Sequence, residues 1–292
     1  MKLKLGDKIQ LSPDTRKVAL SAIAVFILSL VIFSFFPPQG VDWNRTFYPS
    51  SQKILNPYSN ETFINIPWIT LVLSPFRFFS KEAGKILNVS LQVVIFWILL
   101  KQKGGKTLAI FLTFTSFPFL FSLHNASIEW IPALALFFPN ALGVIIYLIK
   151  PQSTLLIGLD WFYRQKNKLA FVIIPLAWML VSLLIWPGWP LEMLKNMEEV
   201  TLYRWNMSLF PWTIPVGLAL VYYIVKEKPE KGELLASLAT ICLMPYFAPH
   251  SVTIPFVLLT TRYPRASIPV WISLWIYPFL EYGLIPILFN IK

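Results

Sequence analysis

The sequence predicts an all-α fold: a polytopic membrane helical bundle of about nine to eleven membrane segments, with an outer-face loop that carries short interfacial helices. Three observations lead there. Of 292 residues, 56% are hydrophobic and 13% charged, against about 25% charged in a soluble domain. Mean hydropathy is +0.62. Apolar runs alternate with short basic clusters, so the net charge of +11 reads as topogenic charge and not as a nucleic-acid surface. The 24 prolines, many inside apolar stretches, predict short and broken helices, because each removes a backbone donor. Cys242 is the single cysteine, which excludes a disulfide within the chain.

Residues 1–292 read as one integral-membrane domain. A basic tail, residues 1–17, precedes an uninterrupted apolar run from Val18 to Phe36, about the thickness of a hydrocarbon core. The run lacks a small-residue cleavage pattern, so it reads as an uncleaved anchor with a cytoplasmic amino terminus. Residues 37–85 then form the first outer loop. Within it, Ile66 to Phe79 is short for a span and is interrupted by Pro67, Pro75 and Arg77, which predicts a helix in the outer interface. Residues 86–100 cross inward to Lys101, Lys103 and Lys106, and Thr107 to Leu123 cross outward. From Ile131 two readings stand. In one, residues 131–138 turn at Pro139-Asn140 and return as 141–149, leaving Lys150 outside; in the other, 131–149 are one span with Lys150 inside. Leu169 to Trp186 go out, residues 187–212 form a second large outer loop, and Thr213 to Val225 return to a charged KEKPEKGE segment. Leu234 to Phe247, Val252 to Thr261 and the broken stretch Ile268 to Phe289 complete the bundle.

No nucleotide-binding fingerprint, metalloprotease helix or nucleophile elbow is present, and two histidines with one cysteine do not make a zinc site without carboxylates. Most of the acids fall on the expected outer side. The densest polar stretch is VDWNRTFYPSSQKILNPYS, Val41 to Ser59, which follows the first span directly and places Asp42 at its mouth. A carboxylate there can serve as a base or a ligand, whereas a connecting loop needs neither.

That loop resembles the first outer loop of GT-C class integral-membrane glycosyltransferases, specifically glycosyltransferase family 87, through Asp42, Trp43, Phe47, Tyr48, Leu55, Pro57 and Tyr58. The following IPWITLVLSPFRFF is similar to the family's proline-led apolar run. LIKPQ, with Lys150 and Pro151, is similar to its Lys-Pro motif after a helical hairpin, and APHSVTIPFVLL to a late segment that here carries His250. Where the family commonly has Gly-Gln and then Asn before the hairpin, this chain has His124, Asn125 and Glu129.

The resemblance implies a GT-C-like bundle that transfers a hexose, such as mannose, from a polyprenyl-phosphate donor to a lipid or glycan acceptor at the outer face of a bacterial cell membrane. Inversion follows from a single displacement. Asp42 would be the general base; Lys150, His250 and Arg45 would hold the donor phosphate; Trp43, Tyr48, Tyr58, Asn125 and Glu129 would contact substrate. The expected partners are the donor, the acceptor and membrane lipids, with no nucleic acid. No organic cofactor is implied, and a divalent metal stays open. Two other readings remain: a lipid or glycolipid transporter or flippase, against which stands the lack of an internal repeat, and a non-catalytic GT-C-like membrane protein.

Overall fold

The structure, a computed structural model, describes residues 13–199 and 206–282. Lys2, Lys4 and Lys8 of the tail, Arg204, and the end of the last apolar stretch lie outside the described residues. Every regular element among the described residues is helical.

Helix α1, Pro13–Phe35, covers the apolar run expected from Val18 and begins five residues earlier, within the basic tail; it leaves Leu20, Ile23, Ile27 and Leu28 more than half exposed. An all-apolar surface of this kind suits lipid, with one side packed on α4. Between them lies a layer of short pieces: a π-helical turn Trp43–Phe47, α2 at Tyr48–Gln52, a 3-10 turn Pro57–Ser59, α3 at Ile69–Leu73 and a second 3-10 turn Ser74–Phe78. Prolines 49, 57 and 75 sit in their first turns, where a missing N–H costs nothing. Trp43, Phe47, Tyr58, Phe63, Trp68 and Ile69 turn inward and form an aromatic core of this layer.

Helix α4, Lys81–Gln102, is the central post: half of its apolar window is buried in the protein. The span expected after Thr107 is broken. Helices α5, Thr107–Phe114, and α6, Phe117–Asn125, meet at 50°. Ser116 caps α6 by accepting from Phe119 N, and Pro118 enters its first turn, so the sequence signals a new helix start there. Residues 130–150 settle the ambiguity left by periodicity: α7, Trp130–Ala135, and α8, Ala141–Leu148, are packed together as a hairpin. The Asn140 side chain caps α8 by accepting from Leu142 N and Gly143 N. A Cβ on Gly143 would strike the Phe138 carbonyl and the Trp161 ring, so close packing of the turn requires glycine here.

Short α9, Pro151–Thr154, leads to α10, Ile157–Arg164, and to α11, Lys168–Ile185, a second long helix with most side chains exposed. The loop expected over 187–212 contains α12, Trp189–Glu199. Helices α13, Ile214–Glu227, and α14, Gly232–Leu243, pair closely. A 3-10 turn Pro249–Val252 precedes α15, Thr253–Arg262, and α16, Ser267–Tyr282. Among the described residues, three helices are long and apolar enough to cross a membrane, or four if the bent α5–α6 pair counts as one. That is fewer than the nine to eleven segments the hydropathy pattern suggests. The difference comes from proline and polar breaks that cut several apolar runs below about 18 residues.

The two ends of α4 differ in chemistry. At the Gln102 end gather the charges expected inside: Lys103 pairs with Glu233 at 2.5 Å, Arg164 with Asp160 at 2.9 Å, and Arg262 with Glu230 at 3.4 Å. At the Lys81 end sit Asp42 and the aromatic layer, with Trp43 Nε1 donating to Lys81 O at 3.0 Å. Fully buried Asn88 ties this end together. Its amide donates to Ala126 O at 2.9 Å and Ser127 O at 3.1 Å, and its Oδ1 accepts from Trp130 Nε1 at 2.8 Å. Asn88→Ala leaves these three partners unpaired and is expected to cost at least about 3 kcal/mol, since each orphaned buried group costs about 1–3 kcal/mol. A thermal-unfolding comparison with Asn88→Asp and Asn88→Gln checks this; an unchanged melting temperature for Asn88→Ala would contradict it.

Candidate functional site

The site is assembled from four segments far apart in the chain. Asp42 is placed by the turn after α1. Gly40 adopts φ +71°, and its N–H donates to His124 O at 2.8 Å. The Lys85 side chain lies where a Cβ would go, so only glycine suits both the left-handed backbone and the close approach. Asp42 then opens the π-helical turn, and Trp43 behind it is fixed against Phe76, with ring centroids 5.1 Å apart. The Asp42 carboxyl, partly buried, lies beside the Ser127 hydroxyl and within the field of Lys150.

Ser127 and Glu129 come from the bend after α6, where Ala126 takes the left-handed conformation at φ 50° and Asn88 holds the carbonyls. Lys150 arrives from the hairpin. Its ammonium donates to Glu129 Oε1 and to Ser127 Oγ, the latter at 3.4 Å. Both partners of this pair are buried, Lys150 at 4% exposure and Glu129 at 0%. His250 enters from the Pro249–Val252 turn, its ring stacked on Phe121 at 6.1 Å and its Nε2 3.5 Å from Glu129 Oε1. Tyr246 also stands within the field of Asp42.

One ammonium therefore faces two carboxyls and a histidine. Burial pushes the Asp42 pKa up, opposed by Lys150 and then by Ser127. Burial raises Glu129 as well; Lys150 opposes this and Asp42 adds to it. For His250, burial and then the nearby Lys150 charge hold the pKa well below the ordinary imidazole value, so at neutral pH the ring is uncharged and can donate or accept a proton. Glu129 Oε2 and His250 Nδ1 have no hydrogen-bond partner. A carboxylate of raised basicity, a buried cation and a neutral imidazole in one cluster suit proton abstraction next to stabilisation of an anion.

Of the residues singled out in the sequence, the structure brings together Asp42, Glu129, Lys150 and His250. The remaining five make other contacts or face outward. Trp43 is fully buried and Tyr58 is 7% exposed, with its hydroxyl donating to Asn65 O at 2.7 Å; both are packing residues and not faces for a sugar. The Tyr48 hydroxyl donates to Phe79 O at 3.2 Å. Asn125, the last residue of α6, donates to Phe121 O at 3.0 Å. Arg45 is exposed, and Lys150 and Ser127, not Arg45, are the groups acting on Asp42. Sequence reasoning missed Ser127, Tyr246 and the organising Asn88. Polar Asn88, Ser90 and Gln92 at every second position of a mostly apolar run were the available signal for Asn88. Among the described residues, no group of three or more His, Cys, Asp and Glu side chains is arranged to hold a metal ion.

Comparison with protein-family models, curated proteins and solved structures finds no match to this chain. The pairing of Lys150 with Glu129 is open to a direct stability test. Removing one partner of a buried ion pair strands the other charge, at a cost of about 3–5 kcal/mol. Lys150→Met alone is expected to destabilise by this amount, and Lys150→Met with Glu129→Gln to recover most of it. Additive losses in equilibrium unfolding would contradict the pairing.

Proposed function

We propose that this chain is a membrane glycosyltransferase that moves a hexose from a polyprenyl-phosphate donor to a hydroxyl of a lipid or glycan acceptor, with inversion. The observation that supports the reading is the convergence of Asp42, Lys150 and His250 around Glu129 and Ser127. These are residues from three of the motifs that resemble glycosyltransferase family 87, and they stand far apart in sequence.

The chemistry follows from the groups present. A sugar on a phosphate is already activated, so one displacement suffices: the acceptor oxygen bonds to the anomeric carbon as the bond to the phosphate oxygen breaks. The acceptor proton passes to Asp42, whose raised pKa makes it a stronger base than an ordinary carboxylate. The leaving prenyl phosphate gains a negative charge, which Lys150 stabilises. An ammonium has three N–H donors; Glu129 and Ser127 occupy two in this structure, leaving one for a phosphate oxygen. His250, neutral and 13% exposed at its side chain, supplies a further hydrogen bond. Glu129 acts as a positioning residue that holds the Lys150 ammonium in place.

The test is transfer by purified protein in lipid, supplied with a panel of polyprenyl-phosphate hexoses and lipid acceptors, with products identified by mass spectrometry. A new glycolipid from one donor, reduced about 10²–10⁴-fold in Asp42→Asn, is the expected outcome. Undiminished transfer by Asp42→Asn would dismiss the base assignment, and no product from any donor would favour a non-catalytic scaffold. Because a base works only when unprotonated, kcat/KM is expected to rise with pH through the elevated Asp42 pKa and to level above it. An acid limb at or below the ordinary carboxylate range would contradict the role of burial.

A further inference from the structure

Four buried hydroxyls with no partner stand on the elements that carry Lys150 and His250 or pack against them. The hydroxyls of Ser153 and Thr154 on α9, Ser251 on the adjoining 3-10 turn, and Tyr147 at the end of α8 are all enclosed and make no hydrogen bond. Buried hydroxyls in native proteins are paired with protein or with ordered water. Four orphans on neighbouring elements therefore point to water held between them.

The polar groups continue toward the other end of the bundle. Helix α14 packs against α9 and α10 and carries Glu233, Ser237 and Thr240 at i, i+4 and i+7, a single face. Ser237 and Thr240 are fully buried, and Thr240 Oγ1 accepts from Leu156 N at 3.2 Å, which ties this face to the turn just after Thr154. Tyr147 stacks on Trp161 at 4.9 Å, and Trp161 Nε1 donates to Glu233 Oε1 at 3.1 Å. Glu233 in turn lines an open cavity of about 240 Å³ with Lys103, Lys231 and Arg262. The rise from Glu233 to Thr240 along α14 is about 10 Å. Asn88, which fixes the level of Ser127, lies about 22 Å along α4 from Lys103.

We propose that this seam is a hydrated proton path connecting the Glu129–Lys150–Asp42 cluster with the Glu233 cavity at the opposite end. The path carries protons and not metal cations: the Lys150 ammonium already fills the place beside Glu129 that a metal ion would take, no metal-holding group stands among the described residues, and hydroxyls and carboxyls relay a proton by exchanging hydrogen bonds. A proton enters as Glu129 or Asp42 is protonated, passes along hydroxyls and water, and leaves at Glu233; no other species is consumed. Asp42 and His250 with Lys150 face one end, and Lys103, Asp160 and Arg164 face the other. The inference does not rest on sugar transfer, although a transferase would use the path to discharge the proton taken by Asp42.

The experiment uses the full chain in vesicles of phosphatidylethanolamine and phosphatidylglycerol with a trapped pH-sensitive dye, potassium and valinomycin clamping the potential. No donor or acceptor is present, so the result is separable from the transferase assay. After an external acid jump, wild-type vesicles are expected to equilibrate several-fold faster than protein-free ones. Thr154→Val and Ser153→Ala remove hydroxyls that hold nothing else in the fold, so each is expected to slow equilibration toward the protein-free rate with an unchanged melting temperature, and Thr154→Ser to retain it. A wild-type rate equal to that of protein-free vesicles, or Val and Ala variants as fast as wild type, would overturn the proposal.

Discussion

The contact between the Lys150 ammonium and Glu129 sets the terms for the rest of the structure. Neither group survives burial alone, because stripping water from a lone charge costs several kcal/mol. The chain must therefore bring residue 150 back to residue 129, and the tight α7–α8 hairpin, turned at Pro139-Asn140 and closed by Gly143, is how it does so. Asn88 fixes one side of the pair by gripping the carbonyls that precede Glu129. The stacked His250–Phe121 pair closes the other side.

From this pair the properties of Asp42 follow. It is the second carboxyl beside a single buried ammonium, so the cation is already engaged and burial dominates its basicity. Its neighbours fix the turn that carries it: Gly40 sets the backbone before it, and Trp43 anchors the turn through its bond to Lys81 O. The cluster is enclosed: Glu129 and Lys150 are buried and the His250 side chain is 13% exposed. Acid, cation and neutral imidazole in such a place are what a reaction that moves a proton and parts with an anion requires.

Much of the scaffold was legible in the sequence. The run Leu169 to Trp186 becomes α11 to within one residue at each end, and the run Val18 to Phe36 lies in α1, which begins five residues earlier at Pro13. The Pro139-Asn140 turn was one of two readings, and the Asn140 cap with Gly143 decides it. Other features were hidden for physical reasons. Hydropathy does not separate a helix wrapped in lipid from one wrapped in protein, so the apolar segments read from the sequence include short helices as well as full-length spans. Aromatic residues in a polar loop look alike whether they point out or in, so Trp43 and Tyr58 read as sugar contacts while the structure makes them core. The convergence of Asp42 with Lys150 depends on the broken α5–α6 pair and the hairpin acting together, and no local pattern encodes it.

The proximity of Asp42 to Lys150 is the claim on which the functional reading turns. A double-mutant cycle of Asp42→Asn and Lys150→Met in equilibrium unfolding measures it. Groups in one network couple by about 0.5–3 kcal/mol, whereas independent sites add to within about 0.5 kcal/mol. We expect coupling within the first range; strictly additive effects would place Asp42 outside the cluster and remove the basis for the proposed chemistry.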